Sequence, residues 1–155
     1  MTPSRLIVDG NNLLHVWRNR ADLARNFDGA RWALARLLDQ LAGVIGAEIV
    51  LVFDGTVGGR DEGLSRTGIE VLYASTDTSA DTVIERQVRD APRPQDLLVV
   101  SSDLGVQRSC SAAGAEVMSC PQFLVWVDDR AKTLHNQVHN QSARKRGPTL
   151  GDFFP

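Results

Sequence analysis

Leu6-Ile7-Val8-Asp9-Gly10-Asn11-Asn12-Leu13-Leu14 decides how this chain is read. An apolar run forms a short strand, Asp9-Gly10 ends it, and a helix begins over Asn12 to Trp17. Apolar runs end on an aspartate twice more. Ile49-Val50-Leu51-Val52-Phe53 stops at Asp54-Gly55, and Leu97-Leu98-Val99-Val100 stops at Ser101-Ser102-Asp103. A continuous apolar strand, without alternation, is one covered on both faces.

The segments between these strands are helical. Phe27 to Ile45 carries Leu34, Leu37, Leu38, Leu41 and Ile45 at helical spacing. A glycine-rich polar loop runs from Thr56 to Thr67, and Ile69 to Tyr73 is a further strand. Thr78 opens a helix that runs to about Asp90, where Pro92 and Pro94 block its extension. A helix after Asp103 ends near Ala113 with Gly114 as its cap. Glu116-Val117-Met118 is the last strand, and Pro121 fits the first turn of a final helix carrying Phe123, Trp126 and Val127. Such alternation predicts an α/β fold: a doubly wound, mainly parallel sheet with helices on both faces.

In an open parallel sheet the carboxyl ends of the strands share one edge, where ligands bind. Asp9, Asp54 and Asp103 should meet there. Asp81 and Glu85 lie on one face of a helix that starts at the same edge. Clustered carboxylates repel in a low dielectric, and a divalent cation relieves them. Donors that are all oxygen favour magnesium or manganese over zinc. Such an ion activates water and stabilises charge on a phosphate. Each acid also has a plainer use: Asp-Gly is a common turn dipeptide, Asp103 can cap its helix, and Asp81 can complete a capping box from Thr78. Capping does not, however, require an acid after each of three buried strands.

The chain of 155 residues fits one domain, expected over residues 1–132, with a polar basic tail over 133–155. No apolar run approaches the roughly 20 residues of a membrane span, and the N-terminal run is too short for a signal peptide, so a cytoplasmic protein is expected. Cys110 and Cys120 read as small buried hydrophobes. The net charge of −2 means that a nucleic-acid partner needs a local basic patch.

The motifs resemble the YacP-like branch of the NYN-domain proteins. Val8-Asp9-Gly10-Asn11-Asn12-Leu13-Leu14 is similar to that branch's opening strand motif, and Phe53-Asp54-Gly55 to its second strand end. Ala80-Asp81-Thr82-Val83-Ile84-Glu85 is similar to its helix motif, and Ser102-Asp103-Leu104 through Gln107, then Gly114-Ala115, to its fourth strand and following helix. The resemblance covers about residues 5 to 130 and rests on the order and spacing of the pieces. It implies a PIN-like fold and metal-dependent RNA cleavage, with Asp9, Asp81 and Asp103 at the metal, Asn12 and Glu85 in support, and Asp54 and Ser102 as further supporting residues. Asn11 departs from the pattern, which has an aromatic residue there.

Arg18, Arg20 and Arg25 follow the first motif, and Arg60 and Arg66 lie in the glycine-rich loop. Both groups are expected near the acidic edge, where they would hold RNA phosphates. Arg144-Lys145-Arg146 reads as an electrostatic arm. Leu150, Phe153 and Phe154 suit a tail that docks on the domain or on a second copy in a homodimer. Trp17, Trp32 and Trp126 read as core or interface, and His15 as a packing residue. His135 and His139 have zinc-compatible spacing, but a closed site takes about four ligands and no third is evident. The function expected is a metal-dependent endoribonuclease using magnesium or manganese. The rivals are a non-catalytic RNA- or ribosome-binding module of the same fold and a phospho-acceptor receiver. The receiver would need a lysine near the last strand, and none precedes Lys132. Dinucleotide and nucleotide-triphosphate binding lack their glycine-rich motifs.

Overall fold

The computed structural model describes residues 3–141, with the side chains of residues 20, 131 and 133–141 outside that description. The buried apolar runs form the centre of the sheet: β1 (Arg5–Asp9), β2 (Glu48–Phe53) and β5 (Leu97–Val100). β4 (Ile69–Ser75), β6 (Glu116–Met118) and β3 (Val57–Arg60) complete six strands in the order β3-β4-β2-β1-β5-β6. All pairings are parallel except that of β3 with β4.

The helices are α1 (Gly10–Trp17), α2 (Arg20–Arg25), α3 (Phe27–Ile45), α4 (Ala80–Arg89), α5 (Leu104–Ala112) and α6 (Cys120–Gln141), with one 3-10 turn at Pro94–Asp96. One face of the sheet packs α1, α3 and α6 through Leu13, Leu34, Leu38, Leu41 and Phe123 against Leu6, Val8, Leu51 and Val100. The other face packs α4 and α5 through Ile84, Val88, Val106 and Cys110 against Ile7, Val50, Val52 and Val99. Successive strand side chains point to opposite faces. Strands buried on both sides therefore have no polar phase, which is the continuous apolar pattern of β1, β2 and β5.

β1 is the switch point. It pairs with β2 on one side and with β5 on the other, and the chain winds outward in both directions. The crevice at its carboxyl end is where such a sheet binds ligands.

The structure corrects the expected order in three places. The glycine-rich segment contains β3, an antiparallel edge strand in register Val57↔Ser75 and Arg60↔Leu72. Gly58 and Gly59 hold φ of 85° and 99°, a backbone that glycine adopts freely. α4 is capped by Ser79, which accepts from the Thr82 N–H, so Thr78 lies outside the helix. α6 continues unbroken past residue 132, through Gln141.

Candidate active site

Asp9 ends β1 and shares the face of Ile7, directed towards α4 and α5. It is 3% exposed. One carboxylate oxygen accepts from the Asn12 N–H at 3.2 Å, which caps α1. The other accepts from the Ser101 hydroxyl at 3.4 Å. Gly10 is required by space: a Cβ there would lie 2.6 Å from the Phe53 ring and 2.9 Å from the Val52 carbonyl.

The end of β5 is tied to the same spot. Ser101 is fully buried, and its Oγ also accepts from the Asp103 N–H at 3.2 Å. Asp103 caps α5 by accepting from the Val106 N–H at 3.0 Å. The side-chain carbonyl of Asn12 accepts from the Ser102 N–H at 3.0 Å. Asn11 does the equivalent on the other flank, accepting from the Asp54 N–H at 2.8 Å. Consecutive asparagines thus hold the ends of β2 and β5 against the end of β1. Gln107 donates to the Ser101 carbonyl at 2.6 Å, and Ser102 Oγ accepts from the Cys120 N–H at 3.1 Å.

The fourth acid comes from α4. Asp81 stands in its first turn and Glu85 one turn on. The acids act on one another. Asp9 is pushed up to about 6, chiefly by burial and further by the charges of Asp81 and Asp54, against the lowering effect of the Asn12 N–H and Ser101. Asp81 is raised by burial first, then by Asp103, Glu85 and Asp54. Burial disfavours the charged form, and like charges add to that. Among the described residues no salt bridge neutralises any of these acids.

Both the capping role and the clustering therefore hold for Asp9 and Asp103. Among the described residues, no group of three or more His, Cys, Asp or Glu side chains is arranged to hold a metal ion as it stands. The donor set itself is all carboxylate, hydroxyl and amide oxygen, which fits a hard cation such as magnesium or manganese. Burial raises the Cys120 thiol, and both cysteines are free and buried.

The expected arginines are not gathered with the acids. Arg18 follows the far end of α1, about 12 Å along the helix from Asp9, with its guanidinium 3.9 Å from the Trp17 ring. Arg25 is exposed at the end of α2, and the side chain of Arg20 is outside the described residues. Arg60 is the last residue of the edge strand, in the row of Leu72, Val52 and Asp9 but three strands from Asp9, and it pairs with Glu62 at 2.8 Å and Glu70 at 3.4 Å. Arg66 bridges to Ile69, the first residue of β4, which puts it at the amino edge of the sheet, opposite the acids. The expected placement of Arg66 near the acidic edge is thus corrected. The reason is topological: β2 ends at one edge and its parallel neighbour β4 starts at the other, so the connection must cross the sheet. Arg144, Lys145 and Arg146, the aromatic end of the chain, and the side chains of His135 and His139 lie outside the described residues.

Trp17 is buried, whereas Trp32 is 53% exposed. Ser101, Asn11 and Gln107 belong to the site, although the sequence motifs do not single them out for it. The visible signal for Ser101 is a hydroxyl directly after a buried strand.

The family model described as the YacP-like NYN domain matches residues 6–152. The chain belongs to this family. The match takes in the stretch after Lys132, for which the motifs gave no counterpart. A crystal structure of a mutant Rae1 (YacP) from Bacillus subtilis superposes with a TM-score of 0.71 at 22% identity, over 97% of this chain and 92% of that one. Another Rae1 (YacP) crystal structure from Bacillus subtilis gives 0.68 at 23%, over 89% and 81%. Among curated proteins none matches the chain. The α/β architecture, with its mostly parallel six-stranded sheet, matches these neighbours and is the NYN/PIN-like fold. No helix among the described residues is long and apolar enough to cross a membrane.

Proposed function

We propose that this protein is a metal-dependent endoribonuclease. One observation carries the reading: Asp9, almost fully buried at the switch point, is pushed up to about 6 beside Asp81 and Asp54, and no cation of the protein offsets the cluster among the described residues. A fold does not retain a self-repelling cluster for stability, and a divalent cation is the usual counter-charge.

Asp9, Asp81 and Asp103 would hold magnesium or manganese, which would supply positive charge to the phosphodiester and acidify a water beside it. Asn12 and Ser101 fix the spacing of Asp9 and Asp103 through the hydrogen bonds already described. Glu85, one turn from Asp81, would accept a proton or orient water. Asp54, held by Asn11, adds negative charge at the rim, and Ser102 braces Cys120 behind the site. Arg144, Lys145 and Arg146 would draw the RNA backbone in from the C-terminal side.

The experiment is cleavage of structured and single-stranded RNA with and without manganese, beside an Asp103→Asn control. Manganese-dependent products that disappear in the variant support the reading. Equal rates in chelator, or in the variant, remove it. The second reading, an RNA- or ribosome-binding module without catalysis, is favoured by the capping roles of Asp9 and Asp103, which give both acids a structural use. It predicts RNA or ribosome binding with no cleavage under any metal.

A further inference from the structure

Arg66 lies at the amino edge, and Arg60, three strands from Asp9, is engaged by Glu62 and Glu70; α5 offers a phosphate contact directly beside the site. Leu104, the first residue of α5, directly follows Asp103 and is 64% exposed, an unusual position for a large apolar side chain. Arg108 lies one turn further on the same face, exposed and in no salt bridge among the described residues. Residues at this spacing have Cβ atoms about 5–6 Å apart. Arg108 is about 7.5 Å along the helix axis from Asp103.

The helix is held firmly where it presents this pair. Val106 and Cys110 are buried on its inner side, and Gln107 bonds the Ser101 carbonyl. Gly105 lies between them; a Cβ there would stand 3.1 Å from Asp103 Oδ1, so glycine leaves that flank of the carboxylate open.

We infer that Leu104 and Arg108 form a positioning ridge for single-stranded RNA, on which the base beside the scissile phosphate packs against Leu104 and the adjoining phosphate pairs with Arg108. This rests on the ribonuclease reading above, because the ridge is continuous with the carboxylate edge. A side chain such as Leu104 reaches only a base that is not stacked in a duplex, which selects single strands. A guanidinium takes a phosphate bidentately without reading sequence.

The test uses the full chain and a short fluorescent single-stranded RNA. Binding is read in chelator across a salt series, and cleavage kinetics are read with manganese. Arg108→Gln should lower the salt slope by about 0.7. Leu104→Ser should weaken binding about fivefold with the slope unchanged, and Leu104→Phe should restore it. In cleavage both effects should fall in KM. Thermal melts should stay at the wild-type value, since both side chains are exposed. Wild type that binds and cleaves, with variants unchanged in slope, affinity and KM, overturns the ridge and leaves the ribonuclease reading standing. Wild type that binds without cleaving removes that reading, and the variants' binding still decides the ridge. Wild type that binds no RNA overturns both.

Discussion

The two edges of the sheet treat charge in opposite ways. At the amino edge Arg5 pairs with Glu48 at 3.0 Å, and Arg93 with Asp96 at 3.0 Å. At the carboxyl edge Asp9, Asp54, Asp81, Glu85 and Asp103 gather with no cation among them from the described residues. Both edges belong to the same strands, so the sheet itself does not demand charge of a single sign. The amino edge shows what this fold does when only solubility is at stake. The carboxyl edge departs from that at a cost to stability, which points to a ligand of opposite charge.

The largest effect that could break this contrast is on catalysis. Asp103→Asn should reduce manganese-dependent RNA cleavage about a hundredfold or more, since metal-ion stabilisation is worth several kcal/mol. Asparagine caps a helix as well as aspartate does, so the melting temperature should barely move. Initial rates and a thermal melt check both. Cleavage within a few fold of wild type would reduce Asp103 to its capping role.

Stability gives the next effect. Asp9 titrates near 6 when folded, against 3.8 for an ordinary aspartate. The folded protein therefore holds its proton more tightly than the unfolded chain does, so this group favours folding below pH 4. That contribution is lost as pH rises from about 4 to about 6, and the loss is complete at neutral pH. Asp9→Asn should then raise stability at pH 7 by on the order of 2 kcal/mol, with no gain at pH 3. Added manganese should stabilise wild type and not the variant. At the amino edge, Glu48→Gln removes one member of an exposed pair and should cost no more than about 0.5 kcal/mol. Melts in chelator across this pH range separate the two edges. If Asp9→Asn melts below wild type at pH 7, the cluster is not strained in the way proposed.

Much of the fold is legible in the sequence. α3 is predicted with its observed ends, because Leu34, Leu37, Leu38 and Leu41 keep helical period and Gly46 closes the helix at φ 67°. β5 and β6 are predicted as they stand, since short apolar runs between helices have few alternatives. The acids of β1, β2 and β5 can be assigned to one edge because each strand's end is also its edge. β3 is not legible: Val57-Gly58-Gly59-Arg60 has no alternation, and it is a strand only because the outer edge of β4 offers backbone partners. The roles of Asn11 and Ser101 are hidden for a related reason. They rest on long-range bonds to Asp54 and Asp9, which no local pattern encodes.

Those bonds give a smaller effect. Asn12→Ala removes the acceptor for the Ser102 N–H and loosens β5 against β1. Groups that orient metal ligands typically contribute about 10-fold to 100-fold to affinity. Manganese affinity, read by calorimetry, should fall about tenfold in Asn12→Ala and less in Asn11→Ala, because Asn11 orients Asp54 and not the three proposed ligands. Equal affinities in both variants and wild type would make the asparagines simple strand clamps.

The smallest effect is the one expected at Arg66. Its guanidinium donates to the Gly63 and Ser65 carbonyls, and its backbone pairs with Ile69 at the start of β4. An RNA that crosses the carboxyl edge would have to pass the full length of the strands to reach it. β4 spans seven residues, about 23 Å at strand rise. Arg66→Gln should leave RNA affinity within about twofold and the salt slope unchanged. Truncation after Gln141 removes Arg144, Lys145 and Arg146, and should flatten the slope by about 0.7 for each phosphate these side chains neutralise. Binding isotherms over a salt series read both. A slope that drops in Arg66→Gln and holds in the truncation would mean that RNA runs over the edge strand to the amino side. The contrast between the two edges would then concern metal alone and not the whole path of the substrate.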